Sequence, residues 1–176
     1  ILEAGEEFKG NAVTLAKNNL FNINNLSPYL DDAKAQFFHT LTAKLLFLAK
    51  RARPDILTAV AFLTTRVKNP TAEDQEKLKR VIMYLQFTPK LCLKLECQNT
   101  KELLWRADGS HGVHPDMRGQ TGGMFTMGKG SVYSTSTRQK LNTKSSTETE
   151  LVAAGEVLTQ ALWSRNFLYE QLGDKG

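Results

Sequence analysis

The spacing of apolar residues changes once along this chain, and that change constrains its folding more than any other feature. From Ala33 to Leu85 apolar residues recur at steps of three and four, the period of helices that pack through one face. Phe37, Leu41, Leu45 and Leu48 mark a first helix. Pro54 interrupts it and is placed to open a second at its first position, carrying Ile56, Val60, Leu63 and Val67. Asn69-Pro70 stops that helix, and Thr71, with Glu73 or Asp74 behind it, caps a third through Leu78, Ile82 and Leu85. At Leu91 the period drops to two. Leu91, Leu93 and Leu95 alternate with Cys92 and Lys94, as along a strand. A turn is expected at Gln98-Asn99-Thr100, then strands over 102–108, 122–127 and 131–137. Residues 109–121 read as a polar loop and Gly128-Lys129-Gly130 as a tight hairpin turn. A long helix is expected from Ser145 to about Leu172.

The pattern predicts an α+β chain in three stretches. Residues 1–32, polar and Asn-rich, form a linker or the end of an upstream domain; 33–90 form a small helical module; 91–176 form three antiparallel strands and a long helix. At 176 residues the chain is long enough for one ordinary domain or two small ones, and 41% hydrophobic residues can supply a core. Lys and Arg exceed Asp and Glu by 23 to 18, a net charge of +5 that suits a polyanionic partner. Cys92 and Cys97 fit neither a metal-binding pair nor a disulfide framework, and read as buried or half-buried thiols of a reducing compartment. No apolar run reaches the length of a membrane span, and residues 1–20 show no signal peptide. A cytoplasmic or nuclear, intracellular, setting is expected, with no membrane partner. The chain opens with Ile1, so a piece of something longer is expected.

Two local motifs lack the context their chemistry needs. Tyr29-Leu30-Asp31-Asp32 spells the Tyr-x-Asp-Asp of a polymerase active site, which works in a hairpin turn between apolar strands. Here an Asn-rich flank precedes it and a helix follows, so Asp31 or Asp32 is read as a helix cap. Gly123 to Lys129 approaches a phosphate-binding loop, but Gly130 stands where Ser or Thr should hold Mg²⁺, and the stretch joins two strands. His111 and His114, with Asp116 beside them, have no cysteine or third histidine nearby in sequence to complete a zinc site.

The carboxylates carry more. Asp108 ends a strand just before a glycine, and metal-assisted phosphodiester cleavage needs carboxylates gathered on rigid elements. At about 100° per residue, Glu150 shares a helix side with Ala154, Val157, Ala161 and Leu168, the side expected to pack on the sheet. Glu148 lies on the other side and, with Ser145, has the spacing of a capping box. From spacing alone Glu150 is either a metal ligand or a carboxylate that snorkels or pairs with a lysine. Lys129, Arg138, Lys140 and Lys144 could contact phosphates or simply form a solvated basic face. Trp105 and Trp163 are expected in the core.

Several blocks together resemble one family. Ala107-Asp108-Gly109-Ser110, Asp116 through Gly123, and Lys140 through Leu151 followed by Ala161-Leu162-Trp163 resemble the ribonuclease H region of copia-type retrotransposon polyproteins. Arg53-Pro54-Asp55-Ile56, Ala59-Val60, Asn69-Pro70-Thr71, Leu78-Lys79-Arg80-Val81 and Tyr84-Leu85 resemble the segment joining polymerase to ribonuclease H. The likeness implies a ribonuclease H-like fold, dependence on Mg²⁺ (or Mn²⁺), and cleavage of the RNA strand in an RNA–DNA hybrid. It also implies the rest of a Pol polyprotein as partner. Asp108 falls on the family's first catalytic, metal-binding Asp and Glu150 on its helix Glu. The chain departs from the family near Gln75 and at Gln86-Phe87. The family's third Asp follows the long helix, beyond Gly176. The ribonuclease H-like domain is therefore expected to be truncated and incomplete as a catalyst, with an open sheet edge and a bare helix side that favour association. The alternative is a non-catalytic remnant or domesticated fragment that binds nucleic acid or protein.

Overall fold

The computed structural model describes residues 10–99 and 102–173, the side chain of Leu172 excepted. Residues 1–9 of the leading stretch and Thr100 of the expected turn lie outside them. The chain is α+β and divides into two compact units, Ile1–Leu93 and Lys94–Gly176.

The first unit is helical. Helix α1 (Asp32–Arg51) starts where the side chain of Asp31 accepts a hydrogen bond from the Lys34 amide. Its buried face is Phe38, Leu41, Thr42, Leu45 and Ala49. That face is turned by one residue from the expected stripe, since Phe37 and Leu48 are only partly covered. Pro54 opens a 3₁₀ turn (Pro54–Ile56) that runs into α2 (Leu57–Thr64). Helix α2 buries Leu57, Ala59, Val60, Phe62 and Leu63 and is the centre of the core. Each of its large side chains contributes about 1.5–3 kcal/mol by leaving water. Helix α3 (Ala72–Phe87) begins with a full capping box between Thr71 and Asp74. Buried Arg53 grips Asp55 and also donates to the carbonyl and hydroxyl of Thr88, tying the 3₁₀ turn to the end of α3.

Residues 10–31 are not a free linker. Ala12 is buried, and Leu15, Leu20, Phe21 and Ile23 pack on the helical core. The amide of Leu30 donates to the Pro70 carbonyl, and the Ala72 amide to the Pro28 carbonyl, so this segment is pinned at the start of α3.

The second unit is a three-stranded antiparallel sheet crossed by one helix. Strand β1 (Glu96–Cys97) pairs with β4 (Gly128–Lys129), and the main sheet has the order β2 (Leu104–Ser110), β3 (Gln120–Thr126), β5 (Tyr133–Arg138). Helix α4 (Ser146–Leu172) packs on β2 and β3. The strand expected over Leu91–Leu95 is not formed: Leu91 and Leu95 are exposed, and an alternating pattern makes a strand only when one face can be buried. Gly128-Lys129-Gly130 is not a bare turn either, because Gly128 and Lys129 pair with Cys97 and Glu96. Cys92 and Cys97 are exposed, against the expectation of burial.

Candidate metal-binding carboxylates

The site expected at Asp108 and Glu150 is organised by a third residue, Thr149. Thr149 is fully buried in the first turn of α4, and three residues without side chains make room for that helix. A Cβ on Gly109 would stand 2.7 Å from the Thr149 carbonyl oxygen. One on Gly119 would stand 2.6 Å from Gln139 Oε1 and 2.9 Å from the Thr149 methyl. One on Gly123 would stand 2.8 Å from Val157. Alanine or larger at these points would push α4 off the sheet.

The Thr149 hydroxyl is equally engaged. It donates to the Ser145 carbonyl at 2.9 Å and lies 2.5 Å from Thr143 Oγ1 and 2.9 Å from His111 Nδ1. Gln139, fully buried, donates through Nε2 to Thr121 Oγ1 at 3.1 Å and to the Thr149 carbonyl at 3.0 Å. On the opposite side of the sheet, buried His114 meets Gln120 Oε1, and Gln120 donates to Ser136. The two histidines are thus spoken for in a polar network. No group of three or more His, Cys, Asp or Glu that could hold a metal forms among the described residues.

Asp108 and Glu150 flank this close approach, one residue from Gly109 and from Thr149 respectively. Chain geometry then keeps their Cα atoms within about 11 Å of each other. Both side chains are exposed. Strand alternation puts Asp108 on the side of β2 away from Gly109 and α4. The inward side of α4 is Thr149, Ala153, Val157 and Ser164, so Glu150 and Ala154 lie at its rim and not on the packed face expected from sequence. The two carboxylates can meet only around the edge of β2, which among the described residues has β3 as its single neighbour in the sheet. A pair of exposed carboxylates suits Mg²⁺, which binds through one or two of them and keeps its water, better than it suits zinc.

The cap at the start of α4 differs in detail from the expected box. Ser145 accepts from the Glu148 amide, but Glu148 reaches back one residue further, accepting from the Lys144 amide at 2.6 Å.

The four basic candidates divide. Lys129 is paired with Glu96, and Arg138 with Asp116, which Arg118 also approaches. Burial raises the Asp116 carboxyl, but the hydrogen bond and charge of Arg138 outweigh it and hold the group below the ordinary carboxylate range. Lys140 and Lys144 are exposed and form no ion pair among the described residues.

Of the two tryptophans expected in the core, Trp105 is half-buried and stacks on Phe125 at 5.0 Å. Trp163 is 61% exposed and stacks on Phe167 along α4. A three-stranded sheet covers only one side of a helix that is apolar on several, and Trp163 is off that side. Sequence reasoning also missed Thr149 and Gln139. Their polar side chains point to surface positions, and only the glycines facing them signal a close approach.

No family model and no solved structure matches the chain. Curated proteins do. It is 31% identical over 166 residues to a transposon Ty5-1 protein of Saccharomyces cerevisiae, spanning 91% of this chain and 53% of that protein. It is 28% identical over 136 residues to the retrovirus-related Pol polyprotein from transposon TNT 1-94 of Nicotiana tabacum, covering 76% of this chain and 10% of that one. It is also 31% identical over 120 residues to secreted RxLR effector protein 161 of Plasmopara viticola, covering 68% of this chain and 84% of the effector. The chain spans about half of the yeast relative and a tenth of the tobacco polyprotein. Over most of its length the chain is thus a homologue of transposon and retrovirus-related Pol polyproteins of the copia type.

Proposed function

We propose that this chain is the part of a retrotransposon Pol polyprotein that carries two carboxylates of a ribonuclease H-type nuclease, Asp108 and Glu150. The single observation behind this reading is the packing of Thr149 on Gly109, which supports it by keeping the Cα atoms of the adjacent Asp108 and Glu150 within about 11 Å of each other. Mg²⁺ or Mn²⁺ held by both would activate a water and stabilise the leaving oxygen of a phosphodiester. The residues of the chain supply rigid placement: β2 fixes Asp108 and the capped first turn of α4 fixes Glu150. Of the four basic candidates, Lys140 and Lys144 form no ion pair among the described residues and would meet the phosphates of an RNA–DNA hybrid, so binding to it weakens as salt rises. The setting is intracellular, and among the described residues no helix is long and apolar enough to cross a membrane.

Two carboxylates are fewer than hydrolysis on two metals uses, so cleavage belongs to the chain joined to the rest of its polyprotein. The test is cutting of a labelled hybrid by that polyprotein in Mg²⁺. Asp108→Asn and Glu150→Gln are each expected to remove cutting while leaving polymerisation in place; wild-type cutting by the double variant refutes the assignment.

A second reading is a non-catalytic fragment that binds nucleic acid or protein. The observation favouring it is the likeness to a secreted effector of which the chain covers 84%. Salt-dependent hybrid binding with no cutting in any longer form of the chain supports it.

A further inference from the structure

We infer that Gln139 is a positioning residue for the carboxylate pair, setting how closely Glu150 approaches Asp108. The inference rests on the reading of those two side chains as metal-binding. Gln139 lies in the link between β5 and α4, flanked by exposed Arg138 and Lys140, yet it is itself fully buried. Its two Nε2 hydrogens are divided between two elements. One goes to Thr121 Oγ1 on β3, the other to the carbonyl of Thr149 in the first turn of α4. Its backbone amide donates to the Gly119 carbonyl at 2.9 Å, and its Oε1 packs over Gly119, where any Cβ would stand 2.6 Å away. One side chain thus clamps the loop before β3, the middle strand and the helix start.

The carbonyl it holds is the same atom that abuts Gly109. Thr149 and Glu150 are adjacent, as are Gly109 and Asp108. Moving the Thr149 peptide therefore moves Glu150 relative to Asp108 directly. A carboxylate pair that shares an ion tolerates little change in spacing, and groups that orient ligands from behind change metal affinity by about 10- to 100-fold when removed. Gln139 touches neither metal nor substrate in this account. Its effect passes through the peptide of Thr149. Thr121 serves as the anchor, and His111 and Thr143 hold the hydroxyl of the same residue from the other side.

The test compares the wild-type chain with Gln139→Met, Thr121→Val, their double variant and Asp108→Asn. Met keeps the volume of Gln139 and removes both donors; Val removes only the anchor and serves if the Met variant does not fold. Mn²⁺ affinity is read by electron paramagnetic resonance well below each melting temperature, and hydrogen exchange is read at the amides of residues 149–153. The expected result is a folded Gln139→Met chain with faster exchange in that turn and about tenfold or greater loss of Mn²⁺ affinity. Thr121→Val should show a smaller loss, and the double variant should be no worse than Gln139→Met, as for residues acting as one unit. Binding by Gln139→Met equal to wild type, while Asp108→Asn loses it, overturns the role of Gln139 and leaves the carboxylate pair standing. Equal binding by wild type and Asp108→Asn overturns the pair itself, and the inference with it.

Discussion

A side chain on Gly109 would begin 2.7 Å from the carbonyl oxygen of Thr149, so strand β2 and helix α4 meet at a point where only glycine fits. Backbone cannot swing aside as the tip of a lysine can. Gly109→Ala is expected to lower stability by about 1–3 kcal/mol. Gly122 lies one pair along the same ladder from Thr121, and a Cβ there would meet only the Asp108 carbonyl at 3.9 Å. Gly122→Ala should change stability by less than about 1 kcal/mol. Thermal melting of the two variants side by side checks the contrast; equal effects would mean that α4 does not sit on β2 as described.

The capping box of α3 doubles as a buried ion pair. Asp74, 2% exposed, accepts from the amide and hydroxyl of Thr71 and pairs with Arg66 at 3.1 Å. Asp74→Ala removes the cap and leaves a half-buried guanidinium unpaired, a loss of about 3 kcal/mol. Chemical denaturation of the variant measures it, and a loss under about 1 kcal/mol contradicts the burial of that pair.

Acid should weaken the helical unit at Asp55. Burial raises this carboxyl, but the hydrogen bond and charge of Arg53, with the Tyr84 hydroxyl, outweigh it and leave the group below its ordinary value. A folded-state value below the unfolded one means that the contribution is present above the unfolded pKa and is lost as pH falls through the folded one. The stability gap between wild type and Asp55→Asn is therefore expected to be constant near neutrality and to close below about pH 4. A gap that does not begin to narrow below about pH 4 argues against the pairing.

Helix α4 leaves Leu151, Leu158, Leu162, Trp163, Phe167 and Tyr169 exposed. Apolar surface of that extent on one helix favours self-association. Sedimentation velocity should show larger species as concentration rises, and Leu158→Glu with Leu162→Glu should shift the population toward monomer. A wild-type chain that stays monomeric throughout removes this expectation.

Much of the fold was legible because single residues impose it locally. The caps at Asp31, Thr71 and Ser145, the stop at Asn69-Pro70 and the length of α4 all follow from side chains that satisfy or deny a nearby amide. The strand at Leu91–Leu95 was misread because alternation describes a pattern and not the partner that would bury it. The inward face of α4 was misread for a related reason. Of the apolar stripe Ala154, Val157, Ala161 and Leu168, Val157 does face the sheet, but Thr149, Ala153 and Ser164 share that face and are small enough to let the helix approach the glycine-bearing strands closely. Asp108 and Glu150 stood out by residue type and by family resemblance. The hub that separates them, Thr149 with Gln139, is built from contacts between residues far apart in sequence and leaves no periodic trace.

Paramagnetic broadening by Mn²⁺ reads directly whether residues 108 and 150 hold one divalent ion between them. In a two-dimensional amide spectrum of the chain, low Mn²⁺ should broaden the signals of residues 107–110 and 148–152 together, and Asp108→Asn or Glu150→Gln should each abolish broadening at both. Broadening that begins instead around Glu96 or Asp116, or that persists at one of the two segments when the other carboxylate is removed, would contradict a shared site.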